Sequence, residues 1–575
     1  MFRLFQTVKY FLTYREPADT EGGFELLEGK YEEVENEKKE NPTQKANADQ
    51  SEDTEKSTGA PLKATKRNEN RKKENKNQLP AQDELVSSEL KANFEKIKQE
   101  LNMPKNADIV IREFTVGMNL KAFIVFVDGM ADKIVINDFI LRQLMNTDHF
   151  KGYKNEYPLD YVMNHVLSIN DIEKAKEYKK IISEILNGVT ALFIEGCEEA
   201  LLIESRGYEK RNIEKPSTES VVMGSQEGFT ENLRTNITLI RRIIKNKDLI
   251  TEILPVGKTS NSNCAIMYLD GVANPELVKE VKSRIKSINI DFVTGDGMIE
   301  QFIEDKPFQI IPQVLNTERP DRAASFIMEG QVIIIGEGVP FVNVVPVTFF
   351  AMFHAAEDSF LRWPFGTAIR LIRILGLFLA TLLPALYVSL ILYHQEMIPT
   401  DLLVAFATAR ENVPFPTIIE VLMLEISFEL IREAGIRVPG VIGPTLGIIG
   451  ALILGQAAVA ANLVSPVLII VVAVTGLGNF AIPSYSLATG IRLIRFGLIL
   501  SGAFLGFYGV AAFLFIAGCF ACSIKSFGVP FLSPISPVTK KNPDIIARMP
   551  NFKQKMRPDY LNTPNRKRAG DKSRS

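Results

Sequence analysis

Between Arg437 and Arg492 the chain carries no charged residue. A stretch that long and that rich in Ile, Leu, Val, Ala and Gly has no polar face to offer water, so it must end up in a large core or in lipid. About 20 helical residues cross a hydrocarbon layer of about 30 Å. By that measure four uncharged stretches are long enough: Ile374–Tyr393, Val441–Ala461, Val464–Ser484 and Phe496–Cys522. The second and third lie within the uncharged run, parted by Asn462 and the Ser465-Pro466 step. Arg362, Arg370 and Arg373 precede the first stretch, and the tail from Lys540 carries eleven Lys or Arg against three Asp. Basic flanks mark the cytoplasmic side, so four crossings with both termini inside are expected. That count places Arg492 and Arg495 on the outer side.

The start of the chain is of another kind. MFRLFQTVKYFLTYR is interrupted by Arg3, Lys9 and Tyr10, with no clean apolar core and no small-residue cleavage site, so no secretory signal is visible there. It reads either as an amphipathic segment on a membrane surface or as an ordinary docking helix. No aromatic residue occurs between Tyr31 and Phe94, and runs such as KRNENRKKENKN are almost wholly polar. Residues 32–90 cannot bury enough apolar surface to offset their ordering entropy and are expected to be a disordered, solvated tether. Nothing in its mixed charge calls for nucleic acid.

From about residue 92 the composition turns globular and the sequence repeats itself. DIVIREFTVG (108–117) resembles DLITEILPVG (248–257), AFIVFVDGMAD (122–132) resembles AIMYLDGVAN (265–274), and GVTALFIEG (188–196) resembles GQVIIIGEG (330–338). Gly129 to Gly271 and Gly188 to Gly330 are both offsets of 142 residues, and a constant offset between separate matches points to an internal duplication. Each copy reads as two strands, an Asp-Gly turn, a helix and a closing hairpin. Between the copies, Phe229, Leu233, Ile237, Ile240 and Ile244 recur at helical spacing, with Arg234, Arg241 and Arg242 largely off that stripe. This helix is expected to link the lobes, its stripe covered by a lobe or a neighbouring subunit. Arg234 and Arg241 are the candidates for meeting acidic residues of another subunit.

Motifs for catalysis are missing. VGKTSNSN (256–263) imitates a phosphate-binding loop, but Glu252 stands where that loop requires glycine. The four histidines are scattered, and no HExxH, GxSxG or paired catalytic acid occurs. Cys519 and Cys522 form a CxxC inside an apolar segment and read as two small buried side chains. The chain is therefore read as non-enzymatic, without cofactor or metal.

In the membrane half, PTIIEVLMLEISFELIREAG (416–435) places Glu425, Glu429 and Arg432 on one helical face among large apolar residues. A carboxylate at membrane depth is costly unless it faces water or a partner. Copies of this helix around an oligomer axis would turn Glu425 and Glu429 into acidic rings lining a cation route; a surface helix with a solvated face is the plain alternative. Gln456, Asn462 and Asn479 are further candidates for that route, or bonds to neighbouring helices. Gly443 and Gly447 form a GxxxG.

The blocks EGFTENLRTNITLIRRIIKN, QVLNTERPDRAASFIMEG, VPVTFF, LLPALYVSLILYHQEMIPTDLL, PFPTIIEVLMLEISFELIREAGIRVP and FAIPSYSL resemble the A subunits of GerA-type spore germinant receptors, over roughly residues 105–535. The resemblance implies a protein of the spore inner membrane that works with a transporter-like B subunit and a C-subunit lipoprotein, and that helps turn nutrient binding by the B subunit into ion release. A related sporulation membrane protein shares much of the pattern. A stand-alone secondary transporter is disfavoured, because the duplication lies outside the apolar half; a non-conducting scaffold is the other alternative. The expected architecture is an α+β soluble region followed by an α-helical polytopic membrane domain. Residues 1–91 form the amphipathic start and charged segment, 92–223 the first lobe, 224–247 the linking helix, 248–355 the second lobe, 356–530 the membrane domain, and 531–575 a basic cytoplasmic tail. Homo-oligomerisation and lipid contact are expected.

Overall fold

The computed structural model describes residues 84–569, except 155, 208–214, 217, 438–454 and 540–543. The amphipathic start, most of the charged segment, the larger part of the expected span Val441–Ala461 and the Gly443/Gly447 pair lie outside the described residues.

Two five-stranded antiparallel sheets make the N-terminal half. The first has the order β1-β2-β4-β5-β3, with β1 Ile109–Thr115, β2 Lys121–Val127, β3 Ile172–Ala175, β4 Thr190–Ile194 and β5 Ala200–Ile203. The second has the order β6-β7-β9-β10-β8, with β6 Leu249–Val256, β7 Ser262–Leu269, β8 Leu315–Thr317, β9 Val332–Gly336 and β10 Val342–Val345. The sheets correspond strand for strand: Thr190 and Val332 open matching strands 142 residues apart, as do Ala200 and Val342. Gly129 and Gly271 turn out of β2 and β7 at φ 87° and 74°, while Gly188 and Gly330 lead into β4 and β9 at φ 96° and 104°. The left-handed backbone at these four turns favours glycine, which is why the repeat is clearest there.

The period also corrects the reading of the helix between the copies. Helix α1 (Leu90–Glu100) opens the first lobe, α2 (Tyr178–Leu186) lies between β3 and β4, and α3 is Leu233–Ile243. Leu90 and Asn232, the N-cap of α3, are 142 residues apart, so α3 is the opening helix of the second copy, not a separate linker. Its start is set by Asn232, whose side-chain oxygen accepts from the backbone N–H groups of Arg234 and Thr235. Phe229, Leu233, Ile237, Ile240 and Ile244 are all buried in the core of the second lobe, against Leu249, Leu269 and Ile327. The stripe needs no neighbouring subunit.

The other side of α3 faces the first lobe. Arg241 was expected at a subunit surface; it is 1% exposed and closed inside the chain. Its Nε and one terminal nitrogen donate to Asp108 at 2.6 and 2.9 Å, and to Asn106 at 2.9 Å. Asn106 also accepts from the Thr251 N–H, and the Ala107 N–H donates to the Thr251 carbonyl, both at 2.9 Å. The amphipathic pattern failed here because both faces of α3 are covered, one by each lobe. Arg234 is largely exposed and pairs with Asp128 of the first lobe.

Four further helices belong to the second lobe or follow it: α4 (Pro275–Ser287), α5 (Asp296–Ile303), α6 (Pro320–Glu329) and the long α7 (Trp363–Tyr393). Beyond lie α8 (Thr400–Arg410), α9 (Thr417–Arg437), α10 (Pro466–Phe480) and α11 (Tyr485–Cys522). Among the described residues, α7 and the stretch of α11 are long and apolar enough to cross a membrane, α11 consisting of two helical segments that meet at Gly506. α10 occupies the expected stretch Val464–Ser484 but has 15 helical residues.

Residues 485–522 differ most from expectation. Gly506 breaks the helix at φ 60°, ψ −144°. A Cβ on Gly497 would come within 2.6 Å of the Phe513 ring, sixteen residues on, whereas a straight helix would separate them by about 24 Å. α11 is therefore a hairpin whose two arms pack against each other. Its bend meets the end of α7, where the Tyr393 hydroxyl donates to the Ala503 and Phe504 carbonyls and His394 stacks on Phe507. Both open ends return to the second lobe: Gly490 lies against the Ile310 carbonyl, and Lys306 donates to Ser523 at 3.2 Å. Arg492 and Arg495, expected on the far side, stand on the lobe side instead. Cys519 and Cys522, expected buried, are exposed on the returning arm. The tail from residue 544 is not separate either: Arg557 donates to the Met328 carbonyl, Arg568 pairs with Glu329 and Asn274 donates to the Asn562 carbonyl.

Removing one partner of a buried ion pair leaves an uncompensated charge, so Arg241→Met should destabilise the full-length protein by ~3–5 kcal/mol, with part recovered in Asp108→Asn/Arg241→Met. Thermal unfolding in detergent, with hydrogen exchange at β1 and β6, measures this; equal stability of both variants with wild type would show that the joint carries no weight. In α5, burial pushes the Asp296 carboxyl up from 3.8 to about 8, against the lowering effect of the Gly336 N–H bond. A raised folded value means that its contribution is complete below about pH 4 and lost as pH rises through 8. Asp296→Asn should flatten this fall, stabilising the second lobe above pH 8 by a few kcal/mol, on the order of 1.4 kcal/mol for each pH unit between those values. Exchange rates of β9 amides between pH 5 and 9 test it.

Candidate functional site

Helix α9 packs into the helical bundle and does not present its acidic face to solvent. Val421 and Leu424 join the core formed with Tyr387, Val388, Leu468 and Leu498, while Ile419, Ile426 and Leu430 face outward. Its acidic residues turn inward. Glu420, fully buried, pairs with Arg410 at 3.0 Å and accepts from the Ser465 N–H at 3.2 Å, placing a negative charge at the N-terminus of α10.

One turn further along lies the densest charge cluster of the bundle. Spacings of four and seven put Glu425, Glu429 and Arg432 on one face of α9, as the sequence indicated. Opposite them, three residues apart on the first arm of α11, stand Arg492 and Arg495. Glu425 Oε2 lies 2.8 Å from Arg495, with both groups 1% exposed. Glu429 accepts from Arg495 and Arg492, each at 3.1 Å, and lies 3.4 Å from Arg432. Arg432 is covered by the Phe428 and Phe480 rings, at 5.4 and 5.0 Å from their centroids. Asn479, with its amide oxygen turned to Arg432, lies 3.2 Å from both terminal nitrogens.

This arrangement sorts the sequence candidates. Glu425, Glu429 and Asn479 come together. Gln456 and Asn462 are exposed and stand apart from the cluster, Asn462 in a left-handed turn at φ 55°. Sequence reasoning missed the two arginines of α11 as partners, although their three-residue spacing matched the acidic face of α9. The cluster holds three guanidiniums and two carboxylates, so one chain presents no net acidic surface here. Glu425 is a sealed counter-charge, close to Arg495 but not aligned for a hydrogen bond. Glu429, 25% exposed, is the accessible member.

The family model of the Bacillus/Clostridium GerA spore germination protein matches residues 95–560, running through both lobes, the bundle and most of the docked tail. The chain belongs to the GerA family. It is 37% identical to spore germination protein KA of Bacillus subtilis (strain 168) over 493 residues, 85% of this chain and 90% of that protein. It is also 37% identical to spore germination protein GerLA of Bacillus cereus over 473 residues, 82% of this chain and 95% of that one. A crystal structure of the N-terminal domain of the A subunit of the Bacillus megaterium spore germinant receptor GerK3 is 29% identical, with a TM-score of 0.37, covering 46% of this chain and 97% of that one.

The network makes a test within this GerA-family chain. With three arginines facing Glu425 and Glu429, neutralising both carboxylates should destabilise the protein. Arg495→Gln strands Glu425 and should cost ~3–5 kcal/mol, while Glu425→Gln/Arg495→Gln should recover much of that. Scanning calorimetry of the detergent-solubilised protein decides it, and a double variant no better than the single would remove Glu425 as the partner.

Proposed function

We propose that this chain is the A subunit of a nutrient-sensing spore germinant receptor, set in the spore inner membrane with both termini on the cytoplasmic side. The observation that supports it is the family match across residues 95–560, which takes in the lobes and the bundle together. The bundle presents Leu371, Ile372, Leu375 and Phe378 of α7 and Phe504, Leu505 and Phe515 of α11 outward, and keeps Glu420, Glu425 and Arg495 inside. That is the arrangement lipid requires and water does not. The basic residues Arg362, Arg370 and Arg373, with the tail, lie at the lobe end, in keeping with a cytoplasmic face there.

In this reading the subunit couples nutrient binding by a transporter-like B subunit to ion release, together with a C-subunit lipoprotein, as an oligomer of ion-conducting chains. Lipid is its other partner; it uses neither nucleic acid nor cofactor and is not an enzyme. Glu429 is the member of the cluster placed to meet a passing cation, with Glu425 holding Arg495 beneath it. A second reading, a non-conducting scaffold, is favoured by the pairing of Glu425 and Glu429 within one chain.

Cation flux through proteoliposomes holding the purified subunit, with and without its partners, separates the two. Glu429→Gln leaves Glu425 to balance Arg495 but removes the carboxylate facing Arg432 and Arg492, so some stability should be lost, and in the protein that still assembles nutrient-dependent flux or cation preference should fall several-fold. Unchanged flux and selectivity in correctly assembled protein would take Glu429 out of the pathway and leave the scaffold.

A further inference from the structure

The loop of residues 305–312, DKPFQIIP, leaves the end of α5 and lies against both open ends of the α11 hairpin. Ile310 presents its carbonyl to Gly490 on the outgoing arm, and Lys306 donates to the Ser523 carbonyl where the returning arm ends. Ile311 is anchored in the core of the second lobe. Between these fixed points, Phe308 is 80% exposed and Ile310 52% exposed. A loop held at three places that nevertheless turns a phenylalanine fully outward is not explained by its own packing.

Its surroundings suggest what covers it. At the same end of the bundle, Trp363 and Phe365 at the start of α7 and Tyr485 at the start of α11 are exposed as well. Large aromatic side chains with basic neighbours, here Lys306 and Arg362, gather at the boundary between headgroups and acyl chains, where an apolar ring and a polar edge are both accommodated. The apolar outer faces of α7 and α11 begin immediately beyond this level, so the exposed ring of Phe308 continues a surface already suited to lipid.

We propose that the 305–312 loop is a membrane-surface anchor: Phe308 and Ile310 insert into the headgroup boundary of the lobe-side leaflet and fix the second lobe against the bilayer. This rests on the reading of the bundle as membrane-embedded. The loop belongs to the lobe and not to a helix, so it would tie lobe position to the lipid surface independently of the covalent connection at α7.

The test uses full-length protein with Cys519 and Cys522 replaced by alanine, reconstituted in phosphatidylglycerol/phosphatidylethanolamine vesicles and labelled with an environment-sensitive fluorophore at single sites. At Phe308→Cys, lipid carrying a nitroxide near the top of its acyl chain should quench several-fold more than aqueous iodide. At Glu113→Cys, exposed on β1 of the first lobe, the order should reverse. Iodide quenching at Phe308→Cys as strong as at Glu113→Cys would overturn the anchor, as would shielding from both quenchers, which assigns the loop to a protein contact. A third site, Phe515→Cys on the returning arm, separates the two levels of the argument. If nitroxide lipid reaches residue 515 but not 308, only the anchor fails; if it reaches neither, the membrane reading of the bundle fails with it.

Discussion

A charge taken out of water has to meet its counter-charge in the same place, and the arrangement of the bundle follows from that requirement at Arg495. Apolar helices slide and rotate against one another at little cost, because one Leu or Ile contact resembles the next. Glu425 and Glu429 on α9 can be satisfied only where Arg492 and Arg495 stand, which fixes the depth and facing of α9 against the first arm of α11. The same rule operates between the lobes, where Arg241 reaches Asp108 and selects one mutual arrangement of two similar domains. In both places polar pairing supplies the register that apolar burial leaves open.

The two halves meet through one continuous core. Ile482, Leu487 and Ile491 pack with the stripe of α3 and with β9 and β10 of the second lobe. Ile491 is the immediate neighbour of Arg492, so the segment that bears the charge cluster is packed directly on the second lobe. The docked tail adds another tie at the root of α7, where Arg370 is held between Asp358 and Asp544.

Much of this was legible in the sequence, and the failures have specific causes. The duplication could be read because Gly129, Gly188, Gly271 and Gly330 must be glycine for the same backbone reason in both copies. The place of α3 in the second copy was hidden because α1 shares its position but not its residues. Arg241 looked external because a helical stripe reports only one covered face. Gly506 was indistinguishable from other glycines of an apolar segment, since a reversal inside lipid-facing sequence needs no polar turn residues. The partners of Glu425 and Glu429 lay more than sixty residues away, and only the packing of α9 against the first arm of α11 brings them opposite.

Gly506 turns the chain back toward the second lobe soon after the arm that bears Arg492 and Arg495, and a distance across this hairpin tests the described bundle most directly. Spin labels at Leu493 and Ile516, both exposed on outer faces of the two arms, can be measured by double electron–electron resonance in the reconstituted protein. Packed antiparallel arms, with axes about 8–10 Å apart, place the labels within about 20 Å. A single continuous helix over those residues would give a distance near 35 Å, at about 1.5 Å per residue, and would contradict the packing of the two arms against each other.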